Sequence, residues 1–125
     1  MTPDELKAAC LALNGSEEQF PFGRAPEVST FKVGGKIFAL TVLTAQPLTV
    51  SLKCDPDLAV RLRAQHPAIV GGYHLNKRHW NTVTLDGSLP DRLVLDMIED
   101  SYDLIVAALP RSQRLVLDWP GSRAE

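Results

Sequence analysis

Ser29-Thr30-Phe31-Lys32-Val33-Gly34-Gly35-Lys36-Ile37-Phe38-Ala39-Leu40-Thr41 is the stretch that decides the fold. Two runs rich in β-branched and aromatic residues flank paired glycines, which supply the positive φ that a tight hairpin turn demands. The spacing predicts strands over residues 29–33 and 36–41. In the first strand Lys32 alternates against Phe31 and Val33 and so faces away from them. From Ile37 to Leu40 the second strand is apolar on both parities, which leaves the face of Lys36 open.

Downstream, Leu48-Thr49-Val50-Ser51-Leu52-Lys53-Cys54 alternates cleanly. Leu48, Val50, Leu52 and Cys54 belong to a buried face, and Thr49, Ser51 and Lys53 to a wet one. Asp55-Pro56 opens a helix to about Gln65, and Pro67 ends it. Residues 69–74 and 80–85 read as a second strand pair around the polar tip Asn76-Lys77-Arg78-His79. By parity Asn81, Val83 and Leu85 point inward, and Trp80, Thr82 and Thr84 outward. Upstream, Thr2-Pro3-Asp4-Glu5 combines a threonine cap, a proline at the first helical position and a capping-box glutamate, predicting a helix over residues 3–13 with Asn14-Gly15 at its end. Phe20-Pro21-Phe22-Gly23 reads as a packed turn tethering that helix to the sheet. Ser88-Leu89-Pro90-Asp91 starts one or two closing helices that stop before Pro110.

The order α-β-β-β-α-β-β-α describes an α+β fold: a single domain whose antiparallel sheet is covered on one face by helices. Residues 111–125 read as a polar, loose C-terminal tail. A length of 125 residues fits one domain, and 45% hydrophobic with 22% charged residues excludes a disordered chain. The longest apolar run, Leu104-Ile105-Val106-Ala107-Ala108-Leu109, is far short of the ~20 residues a bilayer requires. Met1-Thr2-Pro3-Asp4-Glu5 has neither the basic nor the apolar part of a secretion signal. Two cysteines without CxxC spacing fit a reducing cytoplasm.

The formal net charge of minus 2 argues at first against a polyanion partner. Its distribution does not. Residues 1–23 carry one cation against four carboxylates, residues 24–83 eight cations against three, and residues 84–125 four against eight. The sheet segment is therefore plus 5 between parts of minus 3 and minus 4, and it also holds His66, His74 and His79.

Phe20-Pro21-Phe22-Gly23, Phe31-Lys32-Val33-Gly34-Gly35-Lys36-Ile37-Phe38-Ala39, Ser51-Leu52-Lys53-Cys54-Asp55-Pro56, Tyr73-His74-Leu75-Asn76-Lys77-Arg78-His79-Trp80-Asn81 and Ser101-Tyr102-Asp103-Leu104-Ile105 occur in this order. Together these blocks resemble the MmcQ/YjbR family over nearly the whole chain, to about Arg114. The resemblance implies a small cytoplasmic α+β domain whose two hairpins are likened to paired wings, and DNA binding inferred from that shape.

The candidate nucleic-acid-binding residues form two groups. At the tip, Asn76, Lys77, Arg78, His79 and Trp80 place two fixed cations and an imidazole beside a large aromatic. Cations there can neutralise phosphates, and tryptophan can stack on a base or wedge a step. The competing reading is a solvated turn with Trp80 packed over the strands, and for Trp80 packing is favoured. Lys32, Lys36 and Lys53 form the second group, although any single exposed sheet lysine is better explained as a guard against edge-to-edge aggregation. Tyr73 and His74 precede the tip and complete the candidates, Tyr73 as an amphipathic rim residue and His74 as a lone strand histidine better explained as a satisfied or exposed side chain than as a ligand.

Zinc-ligand spacing is absent, so no metal is expected. Neither a GxSxG elbow nor a phosphate-binding P-loop is present, and Cys54 lies inward where a thiol is inert, so no enzyme activity, catalytic residue or cofactor is expected. Ser101-Tyr102-Asp103 reads as a polar cluster that pins a helix junction. The function expected is a DNA-binding module that contacts the phosphate backbone through two basic hairpins. A protein-interaction or chaperone-like module using the same sheet face is the alternative, and a small-molecule or anion site near Tyr73, His74 and Lys53 is a third. No membrane contact is expected.

Overall fold

Gly34 and Gly35 both adopt positive φ, 58° and 78°, and close the hairpin between strands Ser29–Val33 and Lys36–Thr41. The structure, a computed structural model, describes residues 1–72, 75–117 and 119. In chain order the elements are α1 (Pro3–Leu11), β1 (Glu17–Gln19), β2 (Ser29–Val33), β3 (Lys36–Thr41), β4 (Thr49–Lys53), α2 (Pro56–Gln65), β5 (Ile69–Gly71), β6 (Trp80–Thr84), α3 (Asp91–Ala107) and α4 (Arg111–Val116). The strands form a single antiparallel sheet in the order β1-β2-β3-β4-β6-β5. The fold is thus α+β, with two elements beyond the expected order.

The first addition, β1, is three polar residues on the sheet edge. It has no apolar alternation to betray it, because its pairing rests on the backbone ladder and on the Thr30 hydroxyl, which donates to the Gln19 carbonyl at 3.0 Å. The second, α4, occupies the start of the expected tail. Leu109, buried just before it, packs on Gly34, and the Asn14 side chain donates to the Leu117 carbonyl at 3.1 Å. Trp119 donates to Asp103 at 3.0 Å. The loose tail is therefore corrected to a docked helix over these residues; residues 118 and 120–125 lie outside the described ones.

A β-bulge resolves the doubly apolar stretch in β3. Phe31 faces Ala39 while Lys32 faces Ile37, so Phe38 is the extra residue. Phe38 and Ala39 consequently both turn inward and are completely buried, and Ile37 joins Lys32 on the opposite face. The inner face, with Phe31, Val50, Leu52 and Val83, packs against Val94, Ile98 and Val106 of α3 and Leu6 and Cys10 of α1. The Phe38 and Tyr102 rings meet edge to face at 5.5 Å.

Several local readings shift. Thr2 caps α1 through the expected capping box, with Glu5 N donating to Thr2 Oγ1 at 3.1 Å and Thr2 N to Glu5 Oε1 at 2.8 Å. The Thr2 N–H bond to its carboxylate, with the Thr2 side chain adding, lowers the Glu5 pKa by stabilising the ionised form. Ser88 does not cap α3; its N–H is taken by Asp86 at 3.0 Å, and the helix starts after Pro90. α3 is continuous, so Ser101-Tyr102-Asp103 sits within it and not at a junction. Phe20 and Phe22 are 56% and 42% exposed, which corrects the packed turn. The outer face is not uniformly wet either, since Thr30 and Ser51 are buried on it.

Candidate nucleic-acid interface

Strand direction brings the basic residues to one end of the sheet. β2 ends, β3 begins, β4 ends, β5 ends and β6 begins there, as the pairs Val33 with Lys36, Lys53 with Trp80, and Gly71 with Asn81 require. The β2–β3 turn and the described tip residues 75–79 therefore lie at the same end. Their centres are three strand positions apart, about 14 Å at ~4.8 Å per strand.

Lys36 is exposed beside Gly35. Lys32 lies half-buried on the outer face opposite Glu17, which offsets part of its charge. Lys53 lies on the same face, half-buried and directly opposite Trp80. Trp80 is itself half-buried, and Gly72 sits so close to it that an added Cβ would come within 2.8 Å of Trp80 Cβ. Part of Trp80 is thus an anchor for the turn.

The tip is ordered by its own backbone. Asn76 accepts from Arg78 N through Oδ1 at 2.9 Å, and its carbonyl accepts from His79 N and Trp80 N at 3.1 and 2.9 Å. The His79 carbonyl in turn accepts from Cys54 N at 2.8 Å, tying the tip to the end of β4. The Lys77 ammonium donates to the Gly72 carbonyl at 3.3 Å. The tip does not stand free as a wing; it leans on α2, where Arg63 Nη1 donates to the Lys77 carbonyl at 2.6 Å.

Arg63 is a residue that hairpin-centred reading misses. Asp57, Val60 and Arg63 follow at i, i+3 spacing, so they share one face of α2, and that face forms a cleft with Lys77 and Arg78. The 58% exposure of Val60 is the trace this arrangement leaves, because an apolar residue between two charges marks a face turned from the core. The site thus gathers Lys53, Arg63, Lys77 and Arg78, with Lys36 and Lys32 one and two strands from Lys53, against Glu17, Asp55 and Asp57. Tyr73 and His74 lie outside the described residues.

Among the described residues the ion pairs join Lys7 to Glu18, Arg92 to Asp96 and Glu99, and the N-terminal amine to Asp91. None of these consumes a cation of the sheet end. No group of three or more ligand-type side chains is placed to hold a metal among the described residues. Burial pushes the Cys54 thiol up to about 11, with Asp55 and Asp100 adding to the effect and Arg63 opposing it. At neutral pH it is therefore a protonated, weakly nucleophilic group.

A single antiparallel sheet backed by helices, with two hairpin ends side by side and cations around both, defines a small α+β hairpin domain. The YjbR family model matches residues 11–104. The chain is 38% identical to the uncharacterized protein YjbR of Escherichia coli K12 over 94% of its own length and 98% of that protein. It is 37% identical to the uncharacterized protein YbdF of Escherichia coli O157:H7 over 86% and 87%. A crystal structure of a Deinococcus radiodurans protein with a DUF419 domain superposes with a TM-score of 0.89 at 42% identity, covering 97% of this chain and 91% of that one. A Pseudomonas syringae protein gives 0.71 at 28% identity, covering 83% and 98%. The chain belongs to the YjbR family.

Proposed function

We propose that this protein is a cytoplasmic DNA-binding module that grips the phosphate backbone from one side with the end of its sheet. The observation that carries the reading is the convergence of both hairpin ends on that end, about 14 Å apart, with six cations around them. A separation near the ~12 Å width of the major groove lets the two ends reach phosphates on either side of it. Lys77, Arg78 and Arg63 serve one phosphate strand; Lys36 and Lys32 serve the other; Lys53 lies between them. The acidic helices repel DNA that would wrap further, so contact stays one-sided. A role by binding alone is supported by the raised pKa of the Cys54 thiol and by Ser101, whose buried hydroxyl is occupied by the backbone.

Anisotropy of a labelled random duplex tests this. With three to five phosphates neutralised, log K falls against log salt with a slope of about −3 to −5, from a Kd of ~10⁻⁴ to 10⁻⁶ M at physiological salt. Changing Lys77 and Arg78 to alanine reduces the slope by about 2. An absence of binding at low salt, or a slope untouched by the double substitution, defeats the proposal.

A further inference from the structure

The helices occupy the inner face of the sheet, and the outer face carries a groove of about 440 Å³. Leu40 and Val42 contribute apolar floor and the Ser51 and Thr82 hydroxyls, 2.8 Å apart, contribute polar floor. Phe22 and Leu75 wall it from the two loops on either side. Every described residue lining it is uncharged. Two residues further along the same strands, on the same face, stand Lys53 beyond Ser51 and Trp80 beyond Thr82, a step of about 7 Å. The groove thus opens toward the basic end.

The described lining offers phosphates no cation. A duplex cannot use it, because its base faces are stacked away. Unstacked bases can: they need apolar and aromatic surfaces for their faces, hydroxyls for their edges, and cations for the backbone that follows. We propose that the outer face seats bases of a single-stranded nucleic acid, with Phe22 as a stacking wall and Lys53, Lys77 and Arg78 tracking the phosphates. This rests on the nucleic-acid reading above and narrows its substrate class. Charge complementarity selects this occupant, since the neutral groove runs into a cluster of cations.

The experiment compares fluorescein-labelled dT12, rU12 and a 12-base-pair duplex at low salt, using the wild type, Phe22→Ala, Phe22→Trp and Leu75→Ala. The single strand binds at least tenfold tighter than the duplex. Phe22→Ala weakens dT12 roughly five- to hundredfold and leaves duplex binding unchanged, while Phe22→Trp, which keeps a stacking face, retains it. Leu75→Ala gives a smaller loss of the same kind, and rU12 follows dT12 because base faces are read. Equal dT12 affinity in the wild type and Phe22→Ala, with duplex binding intact, overturns this inference and leaves the hairpin proposal standing. No binding of any oligonucleotide overturns both. A dimer in sedimentation that Phe22→Ala dissolves, without effect on dT12, assigns the groove to a second copy and overturns the inference.

Discussion

Replacing Ser101 with alanine should destabilise the protein far more than the loss of one hydroxyl suggests. Ala39 with Leu52 is the outermost pair joining β3 to β4, and beyond it the Phe38 bulge ends the ladder. The Ser101 hydroxyl fills the gap: it donates to the Phe38 carbonyl at 2.5 Å and accepts from Lys53 N at 2.9 Å. Ser101 is completely buried, so alanine leaves a carbonyl and an N–H without partners away from water. Each such group costs about 1–3 kcal/mol, giving a total of about 2–6 kcal/mol. For a chain of this size that corresponds to a fall in Tm of roughly 6–24 °C. Urea unfolding read by circular dichroism measures it. Ser51→Ala, which removes only a hydroxyl pair with Thr82, serves as control at about 1 kcal/mol. A Ser101→Ala loss below ~0.5 kcal/mol would refute the claim that this hydroxyl completes the sheet.

The two turn glycines should respond unequally. Gly34→Ala meets Leu109 side-chain atoms at 2.7 and 2.8 Å besides its strained φ, whereas Gly35→Ala meets nothing within 4 Å. Thermal melts should show Gly35→Ala costing about 1–2 kcal/mol and Gly34→Ala clearly more; equal costs would contradict the packing of the turn on the α3–α4 connection. Burial, with Glu18 adding, pushes the Cys10 thiol to about 12, as burial pushes Cys54 to about 11, against 9.0 for a free thiol. Because both folded-state values are raised, the stability they contribute is full below pH 9 and is lost as pH rises through 11 to 12. A disulfide reagent at pH 8 should label neither thiol until denaturant is added, and rapid labelling of the native protein would contradict their burial.

Much of this fold is legible because its signals are local. The Gly34-Gly35 turn, the alternation of β4, and the Asp55-Pro56 start of α2 each announce their element within a few residues. What escapes depends on distant partners. β1 is held by backbone pairing to β2, α4 by Leu109 and Asn14, and the inward turn of both Phe38 and Ala39 by a bulge that only the register reveals. The same holds at the site. Lys32, Lys36, Lys53, Lys77 and Arg78 stand out from charge along the chain, but Arg63 joins them only because the tip folds back on α2. Phe22, read as part of a packed turn that tethers α1 to the sheet, is instead a wall of the outer groove, since Leu6, Cys10 and Phe38 already fill the space under α1 and α3.

The central claim is that the end of the sheet carrying both hairpins is the nucleic-acid surface. The most direct test is an amide chemical-shift titration of the labelled protein with random duplex at low salt. Shifts should concentrate at Gly34, Gly35, Lys36, Lys53, Lys77, Arg78 and His79 and fade as salt is raised, with the exposed side of α1 and α3 unchanged. Shifts centred on the helical layer, or none at millimolar duplex, would contradict it.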